Sequence, residues 1–137
     1  MAGEIVVGYD GTDGSEAALA EAVRLSEGLG APLMAVFGYK PPVVEREIAD
    51  HQAALHEYGE ARVRQAVEQA REAGVEAHGM VVAKRPSAAL AQVAGERDAR
   101  CIVVGSSGEG PIKGALLGST PHKLLQLADR PVVVVPG

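Results

Sequence analysis

Five short apolar runs divide this chain, and their spacing constrains the fold more than any other feature. They are Ile5-Val6-Val7-Gly8-Tyr9, Leu33-Met34-Ala35-Val36-Phe37, Gly79-Met80-Val81-Val82, Cys101-Ile102-Val103-Val104 and Val132-Val133-Val134-Val135. Each is four or five residues long and rich in β-branched or large apolar types. Most are apolar at both alternating positions, the pattern of strands covered on two sides, as in a parallel sheet.

Helical periodicity fills the intervals. Asp13 and Glu16 have the spacing of a capping box, with Ser15 as a second candidate cap, and Ala18, Ala22, Leu25 and Leu29 then form one stripe. Gly28 and Gly30 close that helix. A long second helix is expected from about Glu45 to Ala73, with Ile48, Leu55, Val63, Val67 and Ala70 on its apolar face. A third follows Pro86, capped by Ser87, and uses Leu90, Val93 and Ala94. The fourth starts with Thr120 as cap and Pro121 as first helical residue, runs through Leu124, Leu125 and Leu127, and is stopped by Pro131. Strict alternation of strand and helix predicts an α/β fold: a single domain over 1–137 with an open parallel five-stranded sheet and helices on both faces. The 137 residues suit one domain, large enough to bury about two-thirds of its unfolded surface.

Charge and composition exclude several partners. Lys and Arg number 13 against 18 Asp and Glu, for a net charge of −5. Nucleic-acid binders present a basic face to phosphates, whereas here the basic residues are scattered among acids. Aromatics make up only 3% of the chain and Trp is absent, so a base-stacking platform is poorly supplied. Neither nucleic acid nor membrane is an expected partner. No apolar run approaches the ~18–20 residues that cross a bilayer, and Met1-Ala2-Gly3-Glu4 lacks the basic opening of a signal peptide; a cytoplasmic location is expected. The single cysteine, Cys101, sits in an apolar run and reads as a small buried hydrophobe. His51, His56, His78 and His122 do not have the spacing of a metal site, and surface positions are expected for His51, His56 and His122.

The chemistry is carried by glycine. Of 17 glycines, Gly105, Gly108, Gly110, Gly114 and Gly118 fall in the stretch between the fourth strand and the helix at Ser119-Thr120-Pro121. Glycine lets backbone N–H groups approach a ligand closely. Successive amides make an anion-binding nest, and a helix start adds free N–H groups and a positive dipole end. With the Ser119 and Thr120 hydroxyls, this is the equipment of a phosphate site in an otherwise acidic protein. The known phosphate loops do not match. G-x-x-x-x-G-K-[ST] is missing, no G-x-G-x-x-G follows the first strand, and Gly105-Ser106-Ser107-Gly108 does not complete G-x-S-x-G.

What is present is Gly105-x2-Gly108-x9-Gly118-Ser119. With the opening Ile5-Val6-Val7-Gly8-Tyr9-Asp10-Gly11-Thr12 and the closing Lys123-Leu124-Leu125 and Arg130-Pro131-Val132-Val133-Val134-Val135-Pro136, the chain resembles the universal stress protein family, in its ATP-binding subgroup, along its whole length. The resemblance implies strand order 3-2-1-4-5, the fold of the related adenine-nucleotide hydrolase group, and a bound adenine nucleotide: ATP, with AMP, ADP and cyclic AMP as the other candidates. Mg²⁺ would come only with the nucleotide. That order sets strands 1 and 4 side by side at a switch point, where ligands bind beyond the carboxyl ends of the strands, so Asp10 and Gly105 should meet. By the resemblance, Gly105 and Gly108 shape the loop beside ribose and phosphates, with Ser107 as a further candidate, and Gly118, Ser119 and Thr120 hold the phosphates. Asp10 contacts the adenosine part or a phosphate-bound Mg²⁺, Gly8 and Tyr9 border it, and Val36 sets backbone groups against the base edge. Pro121 departs from the family by removing an N–H, and Lys84 stands where glycine is common. Lys113, Lys84 and Arg85 have both ligand and surface readings.

Catalysis needs a positioned water, a base and charge stabilisation, and no such constellation can be assigned. The expectation is an ATP-binding sensor or switch with slow or no hydrolysis, paired as a homodimer through the edge strand Val132–Val135. Two alternatives stand beside it: an adenylate-forming or ATP-hydrolysing enzyme, and a protein-interaction module with an empty cleft.

Overall fold

A computed structural model describes residues 3–41, 48–106 and 119–137. The chain runs β1 (Ile5–Gly8), α1 (Asp13–Leu29), β2 (Leu33–Gly38), α2 (Ile48–Glu72), β3 (Ala77–Val82), α3 (Pro86–Glu96), β4 (Cys101–Gly105), α4 (Ser119–Leu127) and β5 (Val132–Val135). The five strands form one parallel sheet in the order β3-β2-β1-β4-β5. Central β1 is in register with both neighbours: Ile5 sits beside Leu33 and Cys101, and Val7 beside Ala35 and Val103.

Two-sided burial follows from the doubly apolar strands. Ile5, Val7, Leu33, Ala35, Cys101 and Val103 pack on one face, against Ala18, Leu19 and Ala22 of α1 and Ala66, Val67 and Ala70 of α2. Val6, Met34, Val36, Ile102 and Val104 pack on the other, against Leu90, Val93 and Ala94 of α3 and Leu124 of α4. Adjacent residues on each strand thus serve different helices, because successive side chains leave a strand on opposite sides.

The helix ends differ in detail from the sequence reading. The N-cap of α1 is Thr12: its backbone is extended (φ −73°, ψ 161°) and its hydroxyl accepts from the Ser15 N–H. Asp13 and Ser15 lie inside the helix. Gly30 closes α1 as expected, at φ 64°, and its N–H returns to the Ser26 carbonyl. In α3, Ser87 is not the cap. Arg85 holds that position without a side-chain hydrogen bond, and Pro86 enters as an early helical residue with its φ already set. Pro121 is the third residue of α4 as described. Of the three leucines along α4, only Leu124 is buried; Leu125 and Leu127 are 62% and 55% exposed. A helical turn is 3.6 residues, so one leucine of the three faces the sheet. The expected start of α2 near Glu45 lies outside the described residues.

Cys101 is buried, and that burial pushes its thiol pKa up. The thiolate is the reactive form. A thiol reagent at neutral pH is therefore expected to leave the folded protein unmodified and to label one thiol per chain in denaturant.

Candidate functional site

The chain leaves β1 toward α1 and β4 toward α4, so the two crossovers part above adjacent strands. A cleft of about 210 Å³ opens there, at the carboxyl ends of the sheet. Its walls are Gly8, Tyr9 and Asp10 after β1, Thr12 and Ser15 at the start of α1, and Val36, Phe37 and Gly38 at the end of β2. Pro86 and Leu90 of α3, Val104 and Gly105 of β4, and Ser119, Thr120 and Pro121 of α4 complete it. Residues from five separate stretches of sequence, among them the candidates Gly8, Tyr9, Asp10, Val36, Gly105, Ser119 and Thr120, therefore share one hollow. Ser107, Gly108 and Gly118, with Gly110, Lys113 and Gly114, lie outside the described residues.

Asp10 caps the turn that it begins. Its Oδ1 accepts from the Thr12 N–H at 3.0 Å and from the Thr12 hydroxyl at 2.6 Å, while its own N–H points to Ser15 Oγ at 3.3 Å. Gly11 turns the corner at φ 86°, a conformation that favours glycine. One carboxylate oxygen is thus occupied in building the turn, and among the described residues Oδ2 has no hydrogen bond.

Tyr9 stands in the cleft wall between Gly8 and Asp10. The ring is buried on the α1/α2 face of the sheet and its hydroxyl donates to the Glu16 carboxylate, with Gln69 Nε2 3.5 Å from the same hydroxyl. Burial, then the bond to Glu16, raises the phenol pKa well above its ordinary value of 10.0. A folded-state pKa above the unfolded one means that the contribution is complete below about pH 10 and is lost as pH rises beyond it. Urea denaturation across a pH series is expected to show stability falling above about pH 10, with a smaller fall in Tyr9→Phe.

At the end of β2, the Val36 carbonyl accepts the Tyr9 N–H at 3.0 Å, the last rung between β1 and β2. A carbonyl has two lone pairs, so one remains for another donor. Gly38, two residues on, turns its N–H and C=O to the same side, where β1 no longer runs. Those groups have no partner among the described residues. Sequence reasoning missed Gly38; a glycine closing the apolar run from Leu33 was the available signal. A Cβ on it would lie 2.8 Å from the Ala89 Cβ and from the Lys84 carbonyl oxygen.

Gly105 has a comparable packing role. A Cβ there would sit 2.7 Å from the Gly14 carbonyl oxygen and 2.9 Å from its carbon. The start of α1 rests directly on the end of β4, and only glycine leaves room for it. Lys84 and Arg85 are exposed on the turn preceding Pro86 and do not line the cleft. His51, His78 and His122 are exposed, but His56 is half-buried, its Nδ1 3.4 Å from the Tyr39 hydroxyl. Among the described residues no group of three or more His, Cys, Asp or Glu side chains is placed to hold a metal ion, and no helix is long and apolar enough to cross a membrane.

A family model described as the universal stress protein family matches residues 1–136. The chain belongs to the universal stress protein family. Among its relatives, universal stress protein YxiE of Bacillus subtilis is 31% identical over 98% of this chain and 99% of its own length. A universal stress protein of Mycolicibacterium smegmatis is 34% identical over 97% of this chain, which spans 48% of that relative's length. Thus the chain spans about half the length of some of its relatives and nearly all of others. A universal stress protein solved in complex with cAMP superposes with a TM-score of 0.71 at 30% identity, covering 97% of this chain and 96% of that one. The α/β architecture and the strand order 3-2-1-4-5 expected from the sequence and its resemblance are those of this chain.

Proposed function

We propose that this universal stress protein binds an adenine nucleotide in the cleft between the ends of β1 and β4 and acts as a nucleotide-dependent switch, with slow or no hydrolysis. The observation that carries this reading is the convergence of Asp10, Gly38, Gly105, Ser119 and Thr120 on one cleft. A relative of 30% identity solved with cAMP supports it. The chemistry of the walls suits the ligand. Val36, Leu90, Val104 and Pro86 offer an apolar bed for a base, and the free backbone groups of Gly38 offer a donor and an acceptor to its edge. Asp10 Oδ2 is available to a ribose hydroxyl or to Mg²⁺ carried by the nucleotide. The Ser119 and Thr120 hydroxyls, at the cleft wall, would serve the phosphates together with backbone N–H groups of Ser107, Gly108 and Gly118.

Thermal unfolding with ATP, ADP, AMP, cAMP and GTP tests this. A native-state ligand at a hundred times its Kd stabilises by about 2.7 kcal/mol, so one or more adenine nucleotides should raise Tm by several degrees and GTP should not. No shift with any adenine nucleotide at millimolar concentration would leave the protein-interaction reading.

We further propose that the domain pairs through β5, an edge strand of the sheet. Its four valines are only half-buried in the single chain, and an open edge is a template for another strand. Light scattering at micromolar concentration is expected to give twice the chain mass; a monomer would contradict the pairing.

A further inference from the structure

Tyr9 stands between two residues of the cleft wall, Gly8 and Asp10, yet its ring leaves the sheet on the side away from the cleft's α3/α4 floor. The hydroxyl donates to the carboxylate of Glu16, in the first turn of α1. Gln69 of α2 brings its Nε2 to 3.4 Å from that carboxylate and 3.5 Å from the hydroxyl. From the other direction, the Tyr9 N–H is held by the Val36 carbonyl at 3.0 Å. Arg62, seven residues before Gln69 on α2, lies against the next turn residue: a Cβ on Gly11 would be 3.1 Å from the Arg62 Cδ. The Asp10 turn is thus gripped from behind by α1 and α2.

A phenylalanine would fill the same apolar space as Tyr9. The hydroxyl therefore adds location and not volume, and a hydrogen bond to a charged acceptor is among the stronger ones. We propose that Glu16 is a positioning residue for the cleft: by fixing Tyr9 through its hydroxyl, it sets the height and orientation of the Asp10 turn that faces the ligand. This rests on the nucleotide reading of the cleft for its functional consequence, but not for the geometry.

Hydrogen exchange on the ligand-free chain and calorimetric titration with cAMP and ATP test it, using Tyr9→Phe, Glu16→Leu and Glu16→Gln. Loss of the bond in Tyr9→Phe and Glu16→Leu should speed exchange at the hydrogen-bonded Asp10 and Thr12 amides by about three- to tenfold, with a similar loss of nucleotide affinity. The Val6 and Val7 amides, buried in the central strand, should quicken by less than those of the turn, reporting only the loss of global stability. Glu16→Gln keeps an acceptor and should stay within about twofold of the parent. Unchanged exchange at the turn in Tyr9→Phe would overturn the proposal. So would exchange that quickens equally throughout β1, which is loss of global stability, or faster turn exchange with unaltered affinity. If the parent chain binds no adenine nucleotide, the functional reading of the cleft fails, while exchange at the turn still decides whether Glu16 positions it.

Discussion

Gly105→Ala is expected to destabilise the protein by about 3 kcal/mol, at the upper end of the usual cost of overpacking. The added methyl would meet the backbone of Gly14 at 2.7–2.9 Å, and neither the end of β4 nor the start of α1 can retreat without lifting the helix from the sheet. Gly8→Ala is the informative comparison. Its methyl would meet the Leu90 Cδ1 at 3.0 Å, the end of a side chain that can turn aside, so the cost should stay below about 1 kcal/mol. Urea denaturation of the two variants checks the order. Equal stability would mean that the α1–β4 contact is looser than described. The consequence for function is direct. A Gly105 variant that fails to bind nucleotide has lost packing, so its failure does not report on a ligand contact, and only Gly8→Ala probes the cleft lining without disturbing the frame.

Leu124→Ala is the second large effect. Leu124 is fully buried and ties α4 to α3 and the sheet, whereas Leu125 and Leu127 are mostly exposed. Truncating a buried leucine costs about 2–5 kcal/mol; exposed positions change stability by no more than about 0.5 kcal/mol. Chemical denaturation should therefore separate Leu124→Ala from Leu125→Ala and Leu127→Ala by at least ~1.5 kcal/mol. The same helix carries Ser119 and Thr120 into the cleft. Nucleotide affinity is expected to fall in Leu124→Ala even where the rest of the domain stays folded, and to be unchanged in the two exposed variants. Equal effects of all three would mean that α4 is seated by a different face.

The strands were legible because doubly apolar runs such as Ile5–Val7 and Cys101–Val104 have few alternatives to a covered parallel sheet. Strand order was not contained in that pattern; it came with the family resemblance, and pairing of β1 with both β2 and β4 agrees with it. Helix caps were misread where several short polar residues compete. Thr12, Asp13 and Ser15 are all capable caps, and the choice fell to Thr12 because Asp10 two residues earlier fixes its backbone and hydroxyl. The meeting of Asp10 with Gly105 followed from topology. The aim of individual groups did not. Nothing in the sequence says that the Tyr9 ring turns away from the cleft, that Gly105 is glycine to admit α1, or that Gly38 leaves its backbone groups unpaired at the end of β2. Each depends on where a neighbouring element stops.

The central claim is that the cleft above β1 and β4 is where an adenine nucleotide sits. The most direct measurement is amide NMR of the labelled protein titrated with ATP and with cAMP. The largest shifts are expected on Asp10, Gly38, Gly105, Ser119 and Thr120, saturating together with one affinity. Shifts that cluster elsewhere, or none at these amides at millimolar nucleotide, would contradict the claim.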